Sequence, residues 1–88
     1  MKQLIKEVEN EGFETLLGKR VLLLSAGYFY EGMLVGINDK FVKLSDAHIV
    51  YETGKWSNET YADRQKMHQD IWYVQTGLIE SYGLSKYD

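Results

Sequence analysis

Apolar and β-branched residues occur along the chain in short runs, which polar residues and glycines separate. Five of these runs have the length and composition of strands, namely residues 20–25, 28–38, 41–52, 71–75 and 78–84. The first run, RVLLLS, is apolar at successive positions, which is typical of a strand that is buried on both faces. The pattern predicts a mainly β domain with five antiparallel strands.

The first residues follow a helical period instead. Leu4, Ile5 and Val8 fall on one face of a helix, and charged residues surround the other face. We predict an N-terminal α-helix within residues 1–17, ended by Gly18. The chain then forms a single domain in the order helix, strands one to three (18–52), a connecting segment (53–69) and strands four and five (70–85).

The connecting segment, residues 53–69, is polar and has no β-branched run. Its length predicts an elaborated loop or a short inserted helix, with residues 59–68 as the helical stretch. Trp56 and Tyr61 have two interpretations. They either anchor a solvated insertion to the core or belong to a binding loop, because loops carry function more often than their share of a fold suggests.

Two glycines interrupt the longest aromatic run. Gly32 and Gly36 lie inside residues 28–38, where glycine weakens a strand. A small barrel gives a reason for them, because its long strands bend sharply and glycine permits a bend or a close backbone approach. The fold class that follows is an N-terminal helix and a strongly bent five-stranded barrel.

Composition and charge limit the kinds of site and the functional classes that we expect. The 88 residues contain no cysteine and have a net charge of −3, so disulfides, thiolate metal sites and a broad phosphate-binding surface are not expected. We expect no cofactor. The charged N-terminal residues do not form a signal peptide, and no apolar run is long enough to span a membrane, so we expect a cytoplasmic protein. A core this small favours self-association.

The glycine and leucine spacing resembles the Sm-like family, which includes Sm, LSm and bacterial Hfq proteins. The matching positions of the first motif are Gly18, Val21, Gly27, Gly32, Leu34, Gly36, Ile37, Leu44, Asp46 and Ala47, and the second motif matches IWYVQTGLIESYGL, residues 71–84. The resemblance implies a homomeric ring of about five to seven subunits, in which strand four pairs with strand five of the neighbour. The interface residues would be Ile71, Trp72, Tyr73, Val74, Leu78, Ile79 and Tyr82.

The resemblance also implies a pocket for single-stranded RNA near the ring's pore. The corresponding positions are Asn38, Lys40, Phe41, Thr76 and Gly77, although Phe41 replaces the expected Asn and Thr76 replaces the expected Arg or Lys. Either Phe41 stacks on a base and Lys40 meets a phosphate, or Phe41 packs in the core and Lys40 is a turn residue. Two functions stay open, namely an RNA-binding ring and a non-catalytic ring that binds other proteins.

One further pair could carry chemistry. Asp46 and His48 are two residues apart on a predicted strand and would share a face. They could form an acid–base pair, or a salt bridge at the surface or at a subunit interface. No nucleophile or second acid has a spacing that joins them, so we expect no enzymatic activity.

Overall fold

Antiparallel strands make up most of the fold. The computed structural model describes residues 12–87. Its strands are β1 (Arg20–Ser25), β2 (Tyr28–Ile37), β3 (Phe41–Glu52), β4 (Asp63–Lys66), β5 (Trp72–Gln75) and β6 (Ile79–Leu84), and two 3₁₀ helices cover Phe13–Leu16 and Thr76–Leu78. The prediction of a small, mainly β domain is confirmed.

The longest strand, β3, is shared by both halves of the sheet. Its first residues pair with β5, its last residues pair with β4, and β2 pairs with it along most of its length. The order is β4-β3-β2-β1-β6, and β5 pairs with β3 outside this path. Within residues 12–87, β6 pairs only with β1, so the sheet has six strands and does not close. The prediction of a closed five-stranded barrel was wrong in both respects.

The structure also bears on the predicted connecting segment and on the predicted N-terminal helix. The segment predicted as a loop or a short helix over residues 59–68 contains the extra strand β4, which adds to the edge of β3. Most of the predicted N-terminal helix, residues 1–11, lies outside the described residues. Its remaining part is the 3₁₀ helix Phe13–Leu16.

The close approach of β3 to β2 explains why glycine occupies one of the two positions inside β2. Glu31 pairs with His48 and Met33 pairs with Ser45, so Gly32 faces two residues of a β-bulge in β3. A Cβ atom on Gly32 would lie 3.0 Å from the carbonyl oxygen of Ser45, whereas a Cβ on Gly36 would meet only ordinary contacts. This close approach requires glycine at position 32, whereas position 36 has room for a Cβ atom.

The core lies on both faces of β1, as the RVLLLS run predicts. Val21 and Leu23 belong to a main cluster that also contains Leu34, Val42, Leu44, Ala47 and Val74. Leu22 points to the other face and packs with Val50 and Tyr61. Tyr61 thus anchors the segment that connects β3 to β4. No helix of residues 12–87 is long and apolar enough to cross a membrane.

Candidate nucleic-acid interface

The turn between β2 and β3 is held by the side chain of Asn38. Its Oδ1 accepts hydrogen bonds from the backbone N–H groups of Lys40 and Phe41, each at 2.8 Å. The backbone N–H of Asn38 also donates to the carbonyl of Phe41 at 3.0 Å. Asn38 therefore has its oxygen committed to the turn, and this oxygen cannot read the edge of a base while the turn is intact.

Thr76 connects the end of β5 to the same turn through two hydrogen bonds. Its backbone N–H donates to the carbonyl of Lys40 at 2.9 Å, and its hydroxyl donates to the carbonyl of Asp39 at 2.8 Å. The fold thus brings Asn38, Lys40, Phe41 and Thr76 together. Gly77 follows Thr76 in the second 3₁₀ helix, is exposed, and has space around it for a Cβ atom.

Phe41 lies at the surface beside this turn. It begins β3 and its side chain is 36% exposed, so the interpretation that it packs in the core was wrong. Its ring packs edge to face with that of Tyr73, which is 55% exposed, with ring centroids 5.1 Å apart and planes at 90°. The two rings form an exposed aromatic pair. Lys40 is an exposed turn residue, as its alternative interpretation predicted.

Strand alternation places a second lysine on the same face as the aromatic pair. Lys43 pairs with Tyr73 across β3 and β5, and Phe41 pairs with Gln75. Phe41 and Lys43 are two residues apart, so their side chains leave the same face of β3. The opposite face carries Val42 and Leu44, which are in the core. The aromatic pair therefore has Lys43 on its own face and Lys40 in the adjoining turn.

The residues predicted to form the interface between subunits fall into three groups by burial. Tyr73, Leu78 and Tyr82 are exposed, while Ile71, Trp72 and Ile79 are half-buried. Val74 belongs to the core cluster. Leu84 is an exposed residue of β6 that the sequence prediction did not include. Trp72, Tyr73 and Leu78 also line a cleft of about 200 Å³ together with Tyr30, Ser25, Ala26, Val74 and Gln75.

The Asp46 and His48 side chains do not form an acid–base pair. Asp46 has a φ of 47° in the bulge, and its carboxylate accepts hydrogen bonds from Arg20 at 2.9 Å and from Lys66 at 2.6 Å. His48 is buried, and its Nδ1–H donates to the backbone carbonyl of Asp46 at 2.9 Å. The hydrogen bond from Lys66 is the main reason that the pKa of Asp46 lies below its ordinary value.

A buried ion network lies next to this pair. Glu31 is fully buried and accepts hydrogen bonds of 2.7–2.9 Å from Arg20, Arg64 and the hydroxyl of Ser85. Burial alone would raise the pKa of Glu31, but the hydrogen bonds from the two arginines and Ser85 outweigh it and hold the pKa below its ordinary value. Sequence reasoning missed this network. Every buried side-chain nitrogen and oxygen of the described residues has a hydrogen-bond partner. None of the buried polar atoms of this network is therefore left unpaired for a ligand to bind.

The chain has no match among protein-family models, curated proteins or solved structures. The resemblance to the Sm-like family therefore rests on the two sequence motifs quoted above alone.

Proposed function

We propose that the chain is a divergent Sm-like module that binds single-stranded RNA, has no catalytic activity, and assembles into a homomeric ring. The exposed Phe41–Tyr73 pair with Lys40 and Lys43 beside it carries the RNA proposal. Single-stranded nucleic acids bind to exposed aromatic rings by base stacking and to nearby cations through their phosphates. The pair and Lys43 offer both contacts on one face of the sheet, and Lys40 adds a cation in the adjoining turn.

The role of each residue differs from the one that the family motif implies. Asn38 and Thr76 stabilise the turn through their own hydrogen bonds, so they position the site and do not read a base. Phe41 supplies a stacking surface, Tyr73 holds it edge-on, and the lysines contact the phosphates. Stacking is tolerant of base identity because every base has a π-face, so the site has weak sequence preference.

The free edges of β5 and β6 support assembly into a ring, and β4, which pairs only with β3 in the part of the chain that the structure describes, leaves a third free edge. Among the described strands, β5 pairs only with β3 and β6 pairs only with β1, so each has one unpaired backbone edge. Unpaired edges associate readily with other strands. A contact in which the β5 edge of one copy meets the β6 edge of the next is heterologous, and heterologous contacts that close produce rings.

The alternative is a non-catalytic ring that binds other proteins. Two observations favour it: the Oδ1 of Asn38 and the hydroxyl of Thr76 are both used inside the turn, and the net charge of the chain is −3. Exposed Leu78, Tyr82 and Leu84 would then serve as contact surface for a partner as well as for assembly.

Titration with short RNA separates the two functions. We expect U-rich and A-rich single strands to bind the wild-type chain with similar affinity, and binding to weaken as salt rises because phosphate contacts release counterions. Phe41→Ala should lose about 1–3 kcal/mol of binding free energy per stacked base. Lys40→Ala should reduce the slope of log affinity against log salt.

Tyr51→Ala is the matched control. Tyr51 is also an exposed ring in an edge-to-face pair, with Tyr28, but it lies at the other end of β3. Its removal should leave RNA affinity unchanged. Equal losses in Phe41→Ala and Tyr51→Ala would show non-specific binding. No binding at low salt and tens of micromolar protein would refute the RNA proposal and favour the protein-binding alternative.

A further inference from the structure

Residues 85–87, here called the strap, lie against the segment that connects β3 to β4. The hydroxyl of Ser85 donates to Glu31, and the backbone N–H of Lys86 donates to the hydroxyl of Tyr61 at 3.3 Å. In return, the backbone N–H of Tyr61 donates to the hydroxyl of Tyr87 at 3.2 Å. The strap therefore joins β6 to this segment through Lys86 and Tyr87, while Ser85 contacts β2.

The ammonium group of Lys86 lies in a small site on that segment. Its Nζ donates to the carbonyl oxygens of Lys55 and Asn58, at 3.0 and 2.8 Å. The same nitrogen lies 5.6 Å from the ring centroid of Trp56 and 5.0 Å from that of Tyr61. Both distances are within the range in which the face of an aromatic ring attracts a cation.

The two rings form walls at a right angle. Their centroids are 6.5 Å apart and their planes make an angle of 89°. Two π-faces and two carbonyl oxygens match the needs of a primary ammonium group, which has three N–H donors and no acceptor. A neutral group of the same size would gain neither the cation–π attraction nor charge-assisted hydrogen bonds.

Contacts that do not involve Lys86 hold the walls and the carbonyls in place. Tyr61 is buried in the second core cluster, and the rings of Trp56 and Phe29 pack edge to face with their centroids 6.2 Å apart. The backbone N–H of Asn58 donates to the carbonyl of Lys55 at 3.1 Å and closes the turn between them. Trp56 nevertheless remains 62% exposed, which leaves this wall open to solvent and to another molecule.

The site recognises the ammonium group without a carboxylate. Within residues 12–87, no Asp or Glu forms an ion pair with Lys86. Attraction therefore comes from carbonyl dipoles and ring faces at short range, which salt screens less than it screens exposed charges. This property separates the site from the RNA face, where binding depends on phosphate charge.

We propose that Trp56, Tyr61 and the carbonyl oxygens of Lys55 and Asn58 form a binding site for the primary ammonium group of a lysine. Lys86 of the strap occupies the site in the same chain, and the lysine of another polypeptide takes its place when the strap leaves. The strap is the direct evidence that a lysine in an extended segment fits the site. The proposal is independent of RNA binding and of ring assembly.

The test uses the full chain with Lys86→Met, which removes the charge and keeps the length of the side chain. The probe is n-butylammonium, and n-butanol is the neutral comparison. The chain has two tryptophans, so its NMR spectrum has two indole N–H signals, and Trp72 on β5 serves as the internal reference. We expect butylammonium to shift the Trp56 signal saturably in Lys86→Met, and to bind the wild-type chain roughly tenfold more weakly because Lys86 competes at high effective concentration.

Lys55→Met is the matched control. It removes a lysine from the same segment but keeps the backbone carbonyl that the site uses, so it should respond like the wild type. Equal responses of the wild type and Lys86→Met, or equal shifts with butanol and butylammonium, would overturn the proposal.

A second measurement needs no substitution. In the wild type, the ring currents of Trp56 and Tyr61 should shift the ε-methylene protons of Lys86 upfield, and its ammonium protons should exchange slowly because two carbonyls accept from them. Random-coil shifts for Lys86 would overturn the proposal even if the Lys86→Met variant did not fold.

Discussion

Replacing Glu31 by glutamine would test whether the buried ion network holds the sheet together. The change keeps the shape of the side chain but removes the negative charge that faces Arg20 and Arg64. Arg20 is itself buried, and the side chain of Arg64 is 21% exposed. Glutamine would also place an NH₂ group where two guanidinium groups donate, so at least one of their hydrogen bonds would be lost.

The expected loss is large compared with the stability of the domain. Removing one partner of a buried ion pair costs about 3–5 kcal/mol because the remaining charge stays buried without compensation. A chain of this length has a free energy of unfolding of about 4–13 kcal/mol, at about 0.05–0.15 kcal/mol per residue. Glu31→Gln should therefore lose a quarter or more of the total stability, and should unfold the chain if the wild type lies at the low end of this range.

Urea unfolding followed by tryptophan fluorescence measures this loss. With an m-value of about 1.5 kcal/mol/M, the midpoint should fall by about 2–3 M while the m-value stays the same. Glu80→Gln makes the same chemical change at an exposed position of β6 and should leave the midpoint unchanged. A loss below about 1 kcal/mol in Glu31→Gln would refute the reasoning, because that is the range of an exposed pair.

The pH dependence of stability gives an independent check of the same network. The pKa of Glu31 in the folded state lies below its ordinary value of 4.5. Its contribution is therefore fully present above about pH 4.5 and is lost as the pH falls through the lower folded pKa. Glu31→Gln should show a flatter decline of stability in acid than the wild type. Parallel curves for the two proteins would mean that other carboxylates cause the decline.

Two further predictions concern the bend and the strand edges. Gly32→Ala should destabilise the fold by about 1–3 kcal/mol because its Cβ would meet the Ser45 carbonyl, whereas Gly36→Ala should change stability by less than about 1 kcal/mol; equal effects in thermal unfolding would contradict the difference. Light scattering should report a ring for the wild type and a folded monomer for Leu84→Lys at the β6 edge, while Val35→Lys on the central strand β2 should keep the ring. A monomeric wild type at micromolar concentration would end the assembly proposal.

The strands that carry strong local signals could be predicted from the sequence. β1 and β3 have the predicted bounds, and β2, β5 and β6 differ only at their ends. β-branched and aromatic residues mark these strands because such residues suit a half-buried pleated surface. β4, with the sequence DRQK, has no such residue. It forms because the edge of β3 offers backbone partners, and an edge partner leaves no signal in the composition of the strand itself.

The candidate site was predictable in position but not in detail. The motif positions Asn38, Phe41 and Thr76 lie together at the turn between β2 and β3. The exposure of Phe41 was not predictable, because an aromatic residue at a strand start is equally compatible with either face. Glu31 was also missed. The only available signal was a charge inside a predicted strand, opposite in sign to Arg20 on the preceding one.

The pairing of β1 with β6 has a consequence for how the chain folds. The β2–β3 hairpin joins residues that are close in sequence, so its loop closes at little entropic cost and it is suited to form early. β6 pairs with β1 from the far end of the described chain, as in Val21 with Leu84, and it can join only after a long loop has closed. Until β6 has paired with β1, the strap is not in place and Glu31 lacks the hydrogen bond that the hydroxyl of Ser85 donates. We therefore expect the charged centre of the sheet to be completed last, and slow amide exchange in β2 and β3 with faster exchange in β6 would be its signature in the native state.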